Sequence, residues 1–339
     1  MSVLFSEVSR NSSFDAHSKR FPAMIVPLGA SNMIQVLGAK GLGLFDDKGI
    51  LQIKELNSSA IIMDKLLAYK APLVMSMLTG DLNSAYALQL KMATKLALPL
   101  AGNPRFFQIT GKGLGGKDGS LVRAAKTRKS KEAEGYLQVI VLKQRPPLKL
   151  AIRPVQVRDK QRNPVFHCES NFDAKVLLER INAIWITQAN VVFELASSAP
   201  AMMDDEVAIA KALGGWSQKA TLPPIVEFDD FKGMFQELKD KGPKADFTIF
   251  LVHRLNHGGE AVFGTINIKG GYALVSDGGR AEDQTTMAHE IGHYFGTLAK
   301  GKLYDDDNSK SSQDLLMGPG NGVKIPVEDV ITYFNTNYK

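Results

Sequence analysis

Thr285-Thr-Met-Ala-His289-Glu290-Ile-Gly-His293-Tyr-Phe-Gly-Thr297 is the stretch on which the reading of this chain turns. On a helical wheel Ile291, Tyr294 and Leu298 fall within about 40° of Met287, a stripe suited to packing. His289, His293 and Gly296 fall on the opposite side. Two histidines four residues apart project from one helix face, one turn above the other, so their imidazoles can converge on a single ion.

That spacing suits a tetrahedral Zn²⁺ site, and Glu290 beside the first histidine is the residue type that takes a proton from water. With 6 histidines in 339 residues, a chance His-Glu-x-x-His is expected about 0.004 times. The competing reading is a pair of ordinary helix histidines hydrogen-bonded in a core. His253, in an apolar strand pattern, and His257, in a turn, are not expected to be ligands.

His289-Glu-Ile-Gly-His-Tyr-Phe-Gly296, followed by Asp314-Leu-Leu-Met317-Gly-Pro-Gly320, resembles the zinc metallopeptidases called metzincins. The resemblance runs from about Lys149 to Lys339 and is strongest from His289 to Met317. It implies an α+β domain, a twisted sheet with a backing helix and an active-site helix. Arg180 to Phe193 is similar to the backing helix and second strand, and Ala261 to Ile268 to an edge strand along which a substrate peptide lies. Gly296 would mark the turn that ends the active-site helix, and Met317 would pack beneath the metal in a Met-turn. The family places a third ligand three residues after that glycine, where this chain has Ala299, which cannot bind zinc. A short insertion would bring Asp305, Asp306 or Asp307 to the metal, with Asp305 favoured, since carboxylate oxygen ligates zinc. Glu328 is a further candidate, as in a gluzincin-like arrangement. Three protein ligands leave the fourth position to a water made acidic by the metal, with Glu290 as general base.

Outward from the motif, the chain divides at Lys143-Gln-Arg-Pro-Pro-Leu-Lys149, where two prolines hold the backbone extended. We expect residues 148–339 to form the metallopeptidase domain. Lys149 to Arg158 alternates like a strand, and Phe172 to Ala189 carries apolar residues at helical spacing. Val191 to Leu195, Phe247 to Leu255, and Ala261 to Ile268 with Tyr272 to Val275 around Gly270-Gly271 read as strands. Residues 1–147 are expected to be a mainly β accessory or targeting domain. Its strands are Met24 to Leu28, Ile34 to Leu37, Phe106 to Thr110 and Leu137 to Leu142, and a helical insertion is expected at about 58–100. A loose likeness to bacterial immunoglobulin-like modules runs from Gly111 to Ala124.

The chain is 44% hydrophobic and 22% charged, a soluble globular composition that excludes disordered and fibrous classes. No charge-free run approaches the ~20 residues of a membrane span. Glu7 and Arg10 interrupt any leader, so cytoplasmic synthesis without a signal peptide is expected. Cys168 is the one cysteine, which rules out an internal disulfide, and beside His167 it reads as a passive thiol. Between Arg105 and Arg162 there are 15 Lys or Arg against 4 Asp or Glu, although the net charge is only +6. This stretch is a candidate contact for an anionic polymer, or a solvated face. Sparse aromatics argue against a specific nucleic-acid partner. Gly111-Lys-Gly-Leu-Gly-Gly-Lys-Asp118 matches Gly-x-Gly-x-x-Gly but lacks the hydroxyl of a phosphate loop, so a turn is expected.

The expected function is a zinc-dependent endopeptidase acting on polypeptides, in the manner of an effector toxin exported by a signal-independent secretion system. The alternatives are a zinc amidase or peptidase acting on cell-wall peptides, and a non-catalytic binding module with a degenerate metal site.

Overall fold

The computed structural model describes residues 3–7, 14, 21–57, 104–116, 118–143, 146–158, 164–166, 173–203, 226–276, 284–299, 325, 327 and 330. The chain is mixed α and β with sheets predominating, and it divides into two compact units, Met1–Lys143 and Gln144–Lys339. The helical insertion expected at 58–100, Cys168 and His167 all lie outside the described residues.

Among the described residues the first unit has eight strands: β1 (Leu4–Glu7), β2 (Ala23–Pro27), β3 (Ser31–Leu37), β4 (Gly43–Asp46), β5 (Leu51–Leu56), β6 (Arg105–Gly111), β7 (Ser120–Ala125) and β8 (Gly135–Leu142). One sheet runs β1-β3-β6-β5, antiparallel throughout, and the other runs β2-β8-β7-β4, with β2 parallel to β8. Alternation decides which side chains point inward. Ile34, Val36, Phe107 and Ile109 from the first sheet share a buried cluster with Met24, Val26, Val122, Ala124, Leu137 and Val139 from the second. Asn32 donates to the Ile25 carbonyl at 2.6 Å, tying β3 to β2 across the sheets. With β2 set aside as an added strand, the order is A-B-E-D facing C-F-G, the arrangement of immunoglobulin-type sandwiches.

In the second unit β9 (Leu148–Arg158) and β10 (Pro164–Phe166) precede α1 (Ala174–Ala189), β11 (Phe193–Ser197) and β12 (Ala201–Met203). After these come β13 (Val226–Glu227), α2 (Phe228–Asp240), β14 (Phe247–Val252), β15 (Leu255–His257), β16 (Glu260–Val262), β17 (Gly264–Asn267), β18 (Tyr272–Ser276) and α3 (Gln284–Ala299). The main sheet runs β11-β9-β14-β18-β17, parallel except for the antiparallel edge strand β17, and β10 and β12 also pair with β9. Every residue of β14 and β18 is buried, as expected of strands covered on both faces. Phe250 and Tyr272 point to α2, where Phe235 meets them at 5.1 and 6.4 Å. Phe247, one strand period away from Ile249 and Leu251, faces the other side and meets Tyr294 of α3 at 4.8 Å.

The structure departs from the sequence reading in the second unit. The run Phe247 to Leu255 is two strands, because the chain breaks at His253-Arg254 and β15 leaves to pair with β13 and β16. The helix α2 was not anticipated, although Phe228, Phe231 and Phe235 repeat on one helix face and are all buried. The strand expected from Ala261 to Ile268 is likewise split, Glu260–Val262 pairing with β15 as β16 and Gly264–Asn267 forming the hairpin around Gly270-Gly271 with β18, with Gly271 at φ +66° and its N–H donating to the Asn267 carbonyl at 2.9 Å.

Candidate metal centre

The helix α3 is fixed by its apolar stripe. Met287, Ala288, Ile291 and Phe295 are buried, at i, i+1, i+4 and i+8, with steps of three and four residues that keep them on one side of the helix. Phe295 packs on Trp185 of α1 at 4.9 Å and on Phe193 of β11 at 6.1 Å. Tyr294 donates its hydroxyl to the Asp246 carbonyl at 3.2 Å, just ahead of β14. Packing thus sets the helix rotation and leaves His289 and His293 half-buried on an adjoining face.

The two imidazoles converge. Their Nε2 atoms are 3.1 Å apart and their rings are inclined at 81°. Zn–N bonds of about 2.0–2.1 Å at a tetrahedral angle put two ligand nitrogens about 3.3–3.4 Å apart. The separation therefore fits a shared zinc with an adjustment of a few tenths of an ångström. Without a shared cation the contact needs one Nε2 to carry a proton and the other to accept it. Among the described residues no third His, Cys, Asp or Glu joins the pair. Asp305, Asp306, Asp307, Met317 and Glu328 lie outside the described residues. The helix runs on to Ala299, three residues beyond Gly296. A glycine inside a helix costs about 1 kcal/mol, so it permits a turn without compelling one.

Glu290 is 4% exposed. One residue on from His289, it is rotated about 100° around the helix, towards the sheet edge. There its carboxylate lies against Gly264, the first residue of β17: a Cβ at that position would stand 2.4 Å from Oε1 and 2.9 Å from Cδ. Gly264 was not singled out from the sequence, although a glycine inside the apolar run Ala261 to Ile268 is the signal of a close approach. The neighbouring Thr265 points to the opposite face, where its Oγ1 is 3.1 Å from Nδ1 of His257. The other ring nitrogen of His257 lies 3.9 Å from Asp229, which commits this histidine to the α2 side. The His253 carbonyl accepts from the Ser276 hydroxyl at 2.9 Å.

The glycine-rich run and part of the basic stretch have visible structural roles. After Gly111, which ends β6, the chain turns through Gly116 at φ +72° and Gly119 at φ +58° into β7. No helix follows, as a phosphate loop requires. The basic stretch spans both units, and several of its cations are engaged. Arg105 pairs with Glu55 at 2.6 Å, Arg123 donates to the Ser130 carbonyl at 2.9 Å, and Lys149 pairs with Glu194. Arg153 is 8% exposed and donates to the carbonyls of Ala199, Leu238 and Pro200. Burial pushes its guanidinium below its usual value. Exposed cations remain at Lys126, Arg128, Lys129 and Lys131 between β7 and β8. Among the described residues no helix is long and apolar enough to cross a membrane. No family model, curated protein or solved structure matches this chain.

Proposed function

We propose that this chain is a zinc-dependent endopeptidase of metzincin-like type. The metal would be held by His289, His293 and an aspartate of 305–307, Asp305 first among them. The observation that carries the reading is the Nε2 pair 3.1 Å apart on α3, with Glu290 on the next residue buried against the sheet edge. The order of elements supports it too: the helix α1 and strand β11, an antiparallel edge strand β17, then the histidine-bearing helix α3.

Zinc bound there would supply Lewis acidity towards a peptide carbonyl and lower the pKa of a water at the open position. The chain's own residues do the rest. His289 and His293 present neutral imidazoles, each with Nε2 committed to the site. Glu290 takes the proton of the attacking water on its carboxylate and returns it to the leaving amine nitrogen. Its burial keeps that carboxylate out of bulk water, where a proton would be lost between the two steps. The β17 edge offers unpaired backbone groups, among the described residues, to an extended peptide. The sandwich of the first unit would position or target the catalytic unit.

The test is digestion of an unfolded protein by the zinc-loaded chain, set beside purified wall sacculi. Cleavage of the protein, abolished by a chelator and restored by zinc, supports the endopeptidase. Release from sacculi alone transfers the same chemistry to wall peptides. Stoichiometric zinc with no cleavage of either favours a binding module.

A further inference from the structure

We infer that Gly264 is a positioning residue for Glu290: the missing side chain on the edge strand is the space in which the carboxylate sits. Alternation along β17 turns residue 264 towards α3 while Thr265 turns towards α2. A Cβ at 264 would overlap Glu290 at 2.4 Å from Oε1 and press on the Thr286 methyl at 3.0 Å. The overlapping atoms are the end of a side chain, so an alanine there displaces the carboxylate and leaves both strand and helix in place. Glu290 is 4% exposed, so it has little room to move except by swinging away from the position it holds now. The three nearest atoms belong to Glu290 and Thr286 and not to either histidine. The inference rests on the peptidase reading, because the displaced group is the base which that reading assigns.

The experiment combines Gly264→Ala with Glu290→Ala in a double-mutant cycle. Zinc-loaded Gly264→Ala is expected to bind zinc within about threefold of wild type and to keep KM within about threefold. Its kcat should fall about 10²-fold, the scale of a misplacement of about 1 Å. Added to Glu290→Ala it should cost no further activity. The melting temperature of the metal-free proteins gives the second readout. Gly264→Ala should lower it by about 2–4 °C when Glu290 is present and by less than half as much in the Glu290→Ala background, where only the Thr286 contact remains. An unchanged kcat, or the same thermal cost in both backgrounds, overturns the inference. Should Gly264→Ala fail to fold, a folded double variant supports it and an unfolded one overturns it. A wild type that cleaves nothing fails the peptidase reading, whereas the melting cycle fails or upholds the packing of Gly264 on Glu290 without any substrate.

Discussion

At the scale of single residues, the proposed chemistry rests on nitrogen positions set by apolar neighbours. Met287, Ile291 and Phe295 anchor one side of α3, and the 100° step per residue then presents His289 and His293 together and turns Glu290 to the sheet. If the histidines are ligands, His293→Ala should weaken zinc binding at least about 100-fold, read by competition with a chromophoric chelator, while the apo protein melts within about 2 °C of wild type. This much of the site was legible in the sequence, because four-residue spacing and a local helix are properties of neighbouring positions. Gly264 was not. Its meaning comes from Glu290, on a helix more than twenty residues away in sequence, and the glycine marks a close approach without naming what approaches.

Among the elements, the strands of the main sheet were legible as apolar runs, since covering both faces of a parallel sheet erases alternation. The break at His253-Arg254 was not, because it follows from β15 finding different partners. The edge strand β11 is covered in an unusual way: Asn182 of α1 donates to the Phe193 carbonyl at 2.9 Å and accepts from the Phe193 N–H at 2.8 Å. One side-chain amide thus takes the place of a further strand. Asn182→Ala should destabilise the second unit by about 1–3 kcal/mol in denaturant unfolding, the cost of leaving two backbone groups unpaired. In the first unit the ion pair of Glu55 with Arg105 is half-exposed. Hydrogen bonds from Arg105, aided by its charge and opposed by partial burial, hold the Glu55 carboxyl below its ordinary 4.5. Its contribution is complete above that value and disappears as pH falls through the lowered one. Exposure limits it to under about 1 kcal/mol. Thermal melts at pH 6 and pH 3 should show Glu55→Gln losing less on acidification than wild type, with the difference shrinking in high salt.

The described residues fall into two compact units, each with a buried cluster of its own. Among the described residues the sandwich cluster draws on β1 to β8 and their connections, while Phe228, Phe231, Phe235, Phe250, Tyr272 and Leu274 belong to a cluster of the second unit. A chain ending at Lys143 should therefore fold alone, with a β-rich circular dichroism spectrum and a cooperative melt. A molten, non-cooperative product would contradict the separation of the cores. Both units were visible in the sequence as a change from strand-rich alternation to alternating strands and helices across the two prolines. The sheet order was not visible, since pairing between distant strands leaves no local trace. The central claim is that Glu290 performs catalysis at a zinc site it does not help to hold. The most direct measurement is proteolysis of an unfolded protein by wild type and Glu290→Ala at matched, verified zinc content. The account predicts equal zinc in both and a loss of about 10²–10⁴-fold in cleavage rate for the variant. Equal cleavage by the two, or loss of zinc from Glu290→Ala, would contradict it.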